Sequence, residues 1–205
     1  MWNTGLKETQ ENPISLLKVV YLLALRELFK YDKTYTFHEN VDTTRILITD
    51  GPPRRQKANW IPVVYVSASV FSWTEFGLGK NIFTARSAFS NEREHLQALR
   101  GGIRINCIDL QSATALNLAY RIFVFLRAYE ENLCQLASTL GLGMQVVPGG
   151  SIGEESPAGS FLPHVPPDAT LVPVTLAAKV FVQTKEQDLG EIFNAFNLKI
   201  EETTT

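Results

Sequence analysis

The side chains able to do chemistry are few and scattered. His38, His95 and His164 stand far apart, and none has a second ligand one helical turn away to share a metal. Gly77-Leu78-Gly79-Lys80 has the glycines and lysine of a phosphate loop. It lacks the full spacing and the Ser or Thr after the lysine, and so reads as a turn. No G-x-S-x-G elbow is present, and neither Cys107 nor Cys134 lies in a catalytic signature. Glu130 with Glu131, and Glu154 with Glu155, are neighbours in sequence, the pattern of a solvated surface and not of a catalytic pair across a cleft. These patterns give no catalytic residue, no metal site and no cofactor. Arg54-Arg55-Gln56-Lys57 follows Gly51-Pro52-Pro53, which cannot continue a ladder, and is expected as an exposed turn whose charges suit phosphate.

The totals narrow the class further. The chain has 205 residues, 45% hydrophobic and 20% charged, values of a globular protein with a sizeable core. A net charge of -2 argues against a general nucleic-acid-binding surface. Two cysteines make no disulfide framework, so both are expected reduced and buried. No basic start with an apolar run marks a signal peptide, and Arg121 and Arg127 interrupt the best candidate for the about 18 apolar residues of a membrane span, so cytoplasmic folding is expected.

The elements centre on Gly102 to Val147. Ile103 to Asp109 alternates apolar and polar residues and predicts a strand. Ser112 is expected to cap one long helix that runs on weakly towards Leu140, with Gly141 and Gly143 as its stop. Apolar residues cover roughly two-thirds of this helix, more than one sheet face covers, so it needs a second partner, either a helix of its own chain or a neighbouring subunit. Met144 to Val147 is the strand after it, completing a strand-helix-strand unit.

Around that unit, Asn12-Pro13 predicts the cap and first residue of an amphipathic helix with Ile14, Leu17, Tyr21, Leu25, Leu28 and Phe29 on one face. Strands are expected at Thr34 to His38, Ile46 to Thr49 and Pro62 to Trp73. Phe76 to Gly101 reads as an excursion from the sheet, with a short helix over Asn91 to Arg100. The final strand, 169–183, contains Pro173 and is therefore expected on an edge, or to join the sheet only after the proline. The fold class is thus α/β (α+β): a mixed, mostly antiparallel sheet flanked by the N-terminal helix and the long central helix. The chain is read as a single domain, 1–205, with an N-terminal arm 1–11, a core 12–147, a flexible Gly/Pro/Ser/Glu loop 148–168, and a C-terminal arm 184–205 with Leu189, Ile192 and Phe196.

This order of elements, over residues 12–183, resembles the tail terminator and related neck proteins of tailed bacteriophages. The resemblance lies in architecture and carries no diagnostic motif. It implies a structural virion protein and not an enzyme, made in the host cytoplasm and assembled as a homo-hexameric ring on the tail tube. Such a ring stops tube polymerisation and meets the head-side connector. Its partners would be the tail tube protein and the neck proteins, with non-specific contact to DNA in the lumen and none to membrane. On that reading Arg54, Arg55 and Lys57 face the lumen or a ring neighbour, the loop from Gly149 to Pro167 contacts tube or connector, and Trp60, Phe161, Phe193 and Phe196 complete the interface candidates. The excursion 76–101 is longer than the plain fold needs. The alternatives are another neck ring such as a stopper or head-completion protein, a small α/β enzyme, and a nucleic-acid-binding module.

Overall fold

The computed structural model describes residues 12–40, 42–53, 60–74, 84–86, 93–160, 162 and 164–186. Among the described residues, three helices, α1 (Pro13–Lys30), α2 (Ser112–Ala128) and α3 (Glu130–Thr139), accompany a mixed sheet of nine strands. The strands are β1 (Leu47–Thr49), β2 (Val63–Ala68), β3 (Ser72–Thr74), β4 (Thr84–Arg86), β5 (Arg93–Asp109), β6 (Gly143–Val146), β7 (Ser151–Ile152), β8 (Ser156–Pro157) and β9 (Thr170–Glu186). The spatial order is β1-β2-β5-β9-β6, with β3 and β4 on β5, and β7 and β8 on β9. β1 runs parallel to β2; β2 with β5, β4 with β5, β7 with β9 and β8 with β9 are antiparallel. The protein is therefore α+β, as the pattern of the sequence implies.

The chain forms two compact units, Met1–Ser72 with Arg100–Val180, and Trp73–Leu99 with Phe181–Thr205. In the first, α1 starts where expected: Asn12 accepts the backbone N–H of Ile14 at 3.0 Å, and Pro13 occupies the first helical position, where no donor is needed. Leu17, Val20, Tyr21, Leu25 and Phe29 are buried, and each fully buried large apolar side chain contributes about 1.5–3 kcal/mol. Pairing of Val63 with Ile108 and Val64 with Cys107 fixes which side chains share a face. Val63, Tyr65, Ile108 and Leu171 form one cluster with Ala158, Val165 and Ala169. The segment 148–168 is thus not structureless: it carries β7, β8 and a 3-10 turn (Ala158–Ser160), and it packs on this face of the sheet. Gly159 permits that packing, since a Cβ there would stand 2.3 Å from Pro167 Cα.

Four other expectations are corrected. Thr34 to His38 is not a strand, because its backbone donors are satisfied locally. Asp32 Oδ1 accepts from Thr34 and Tyr35, Phe29 O accepts from Phe37, and Thr44 Oγ1 accepts from His38. Residues 93–100 are strand and not helix: Thr84 faces His95, Ala85 faces Glu94 and Arg86 faces Arg93 in the second unit, and pairing within the sheet overrides the helix preference of the stretch. Pro173 lies within β9, which has β5 on one side and β6 on the other, so the strand is not an edge. The proline falls between Val174, which pairs with Ile152 of β7, and Leu171, which pairs with Ser156 of β8, and its carbonyl accepts from Gly153 at 2.7 Å. Last, the long helix is two helices, broken at Tyr129, and its cap position is Gln111, not Ser112.

Among the described residues no helix is long and apolar enough to cross a membrane.

Candidate functional site

The candidate site is the outer surface of α2. Its inner stripe, Ala115, Leu118, Ala119, Ile122 and Leu126, is buried. The second partner that so apolar a helix requires is found in part within the chain, since α1 and α3 both pack on it. The cover is incomplete. Leu116, Tyr120 and Val124, spaced i, i+4, i+8, form a ridge exposed to 43%, 59% and 46%. Leu110 before the helix and Tyr129 at its end are also exposed. Their helical spacing puts the three on one stripe, unlike singly scattered apolar residues.

Polar contacts hold α2 at a fixed orientation. Arg121 Nη2 donates to Asp32 Oδ2 in the turn after α1, and its guanidinium lies 5.7 Å from the centroid of the Tyr35 ring. Burial acts to raise the Asp32 pKa, but the N–H of Tyr35, the guanidinium of Arg121 and the N–H of Thr34 outweigh it and hold the carboxyl below its ordinary value. At the N-terminal end, Ser112 Oγ donates to Glu155. Asp109 Oδ1 accepts from Leu110 N at 2.7 Å, and burial keeps this carboxyl above its usual range. At the other end Arg127 pairs with Glu130 across the Tyr129 break, and the acidic first turn of α3 suits the helix dipole. α3 stops as the glycine signal implies: Gly141 has φ +76°, with Leu142 N bonded to Ala137 O and Gly141 N to Ser138 O.

A second surface feature lies between α1 and β1. Arg26, Phe37, His38, Glu39, Thr44, Leu47 and Ile48 line an open depression of about 350 Å³. Arg26 stacks over Phe37, its Cζ 5.4 Å from the ring centroid, and its Nε is buried without an acceptor among the described residues.

Of the sequence-derived interface candidates, Trp60 is half-buried against the Val63, Tyr65 and Ile108 cluster, beside Leu47 and Leu162. Arg54, Arg55, Lys57, Phe161, Phe193 and Phe196 lie outside the described residues, as do the Gly77 to Lys80 turn, the N-terminal arm and the C-terminal arm after Glu186; residues 184–186 continue β9. His38 sits in the depression and His164 is exposed. Among the described residues no three His, Cys, Asp or Glu side chains come together as a metal-binding group. Burial pushes the Cys107 thiol well above its usual range, which makes it a poor nucleophile. The sequence implies a second partner for this helix, in the chain or on a neighbouring subunit, without saying which residues meet it; the i, i+4, i+8 spacing of Leu116, Tyr120 and Val124, opposite the buried inner stripe, is the signal that identifies them.

No protein-family model matches the chain, and no curated protein matches it in sequence.

Proposed function

We propose that the protein is a structural ring subunit, a tail terminator that caps the head-proximal end of a phage tail tube as a homo-hexamer and joins the tube to the neck. The observation that carries this reading is the uncovered α2 ridge of Leu116, Tyr120 and Val124. It is held rigidly by Arg121 and Asp32, so it is pre-organised to receive a neighbour without a further ordering cost. A ring made by head-to-tail contacts buries such a surface on every copy and, once closed, leaves none free. The α+β plan with a mixed sheet supports the same assignment through its resemblance to the terminator family, and this step from fold to function is analogy.

The test is tube length. Tail tube protein is polymerised with and without the purified chain, and tubes are measured by electron microscopy. A terminator arrests growth, giving tubes whose length falls as the chain is added, with a ring on one end. Tubes of unaltered length and bare ends contradict the reading. A different neck ring would assemble by itself yet leave tube growth untouched.

A further inference from the structure

We propose that in the ring the α2 ridge of one copy docks on the α1 face of the next, and that Glu131 of the first copy pairs with Arg26 of the second. This contact rests on the ring reading above.

Arg26 is half-buried, its Nε is shielded from solvent, and it stacks on the face of Phe37 with no hydrogen bond or ion pair among the described residues. Glu39 and His38 line the same depression, yet neither forms an ion pair with Arg26. A cation so placed is stabilised when a carboxylate arrives, because a partly desolvated charge gains most from a directly bonded partner. One and two turns before it, Leu23 and Val19 are exposed on the same helix. The α1 face therefore presents an apolar pair that leads into an unpaired guanidinium.

The α2 surface has the complementary order. Its ridge leads to Tyr129, and the next turn holds two carboxylates. Glu130 is already engaged by Arg127, whereas Glu131 is exposed and has no cationic partner among the described residues. The occupant is therefore a second copy: each subunit carries both an apolar surface ending in a free carboxylate and one ending in a free guanidinium. Because the two surfaces differ, the contact is heterologous, which is the kind that propagates and closes into a ring.

The test uses the full-length chain and charge reversal, read by light scattering coupled to gel filtration across a concentration series. Arg26→Glu and Glu131→Arg each weaken assembly by about 10-fold or more, and the double variant R26E/E131R recovers most of the loss. Circular dichroism melts check the fold, and Arg26→Gln replaces R26E if the reversed charge unfolds the chain. A ring that forms normally with both single reversals, or a double variant no better than the worse single one, overturns the contact and leaves the ring reading intact. A wild-type chain that stays monomeric with and without tail tube protein overturns the ring reading and the contact with it.

Discussion

Arg121 on α2 holds the carboxylate of Asp32, which lies 89 residues earlier in the turn after α1. This ion pair joins the first helix to the central one, and the same carboxylate accepts the N–H groups of Thr34 and Tyr35 at 2.8 Å. The orientation of the α2 ridge depends on it.

Asp32→Ala is expected to destabilise the protein by about 2 to 4 kcal/mol, since it removes two turn-capping bonds and leaves a partly buried guanidinium unpaired. Urea denaturation measures this directly. The sign of the pH dependence follows from the lowered pKa of Asp32. Stability from this group is fully present above the ordinary value of 3.8 and is lost as the pH falls from there through the folded-state value. Asp32→Asn should flatten that part of the profile.

Asp109 acts in the opposite sense. Its carboxyl is raised by burial, so the folded state holds a proton that the unfolded state has released. Stability therefore falls as the pH rises from 3.8 through the raised value. Asp109→Asn keeps an oxygen to accept from Leu110 and is expected to be neutral or stabilising at pH 7, with the advantage vanishing in acid. A loss of stability at pH 7 that persists in acid would contradict this.

Tyr21 is fully buried in α1, and its hydroxyl has no partner among the described residues. Burial, with Cys134 and Glu130 nearby, pushes its ionisation far above the usual range. Tyr21→Phe removes an unpaired polar atom while keeping the ring, so the melting temperature should hold or rise, by up to about 1 kcal/mol in stability. A marked fall would show that the hydroxyl has a partner in solution.

Gly159→Ala tests the packing of the 148–168 segment. The added methyl group would meet Pro167 Cα at 2.3 Å and Pro166 O at 2.7 Å, both backbone atoms that cannot swing aside. A loss of about 1–3 kcal/mol is expected. An unchanged melt would mean that Gly159 does not lie against Pro166 and Pro167 in solution.

The sequence carried the helix ends and strand faces where local chemistry decides them. Asn12-Pro13 and Gly141 mark helix termini through hydrogen-bonding geometry that needs no tertiary contact. The first half of β5 was illegible, because Glu94, Leu96, Gln97 and Ala98 favour a helix, and it is non-local strand pairing, with β4 at residues 93–95, that places this stretch in the sheet. Asp32 hid the turn at Thr34 to His38 in the same way: a single carboxylate captures two backbone donors that β-rich side chains would otherwise lend to a ladder. For the surface, a helix with too many apolar residues was visible, but which of them stay exposed is set by how α1 and α3 pack. Leu116 and Leu118 are alike in sequence and opposite in fate.

The central claim is that the α2 ridge is an assembly surface, and the native mass of wild type beside Leu116→Ser and Tyr120→Asp tests it most directly. A discrete hexamer is expected for wild type, by itself or once tail tube protein is added, and monomers for both variants. Monomer stability should change by no more than about 0.5 kcal/mol per substitution, as at other exposed sites. Wild type that remains a monomer with tube protein present, or variants that assemble as wild type does, would contradict it.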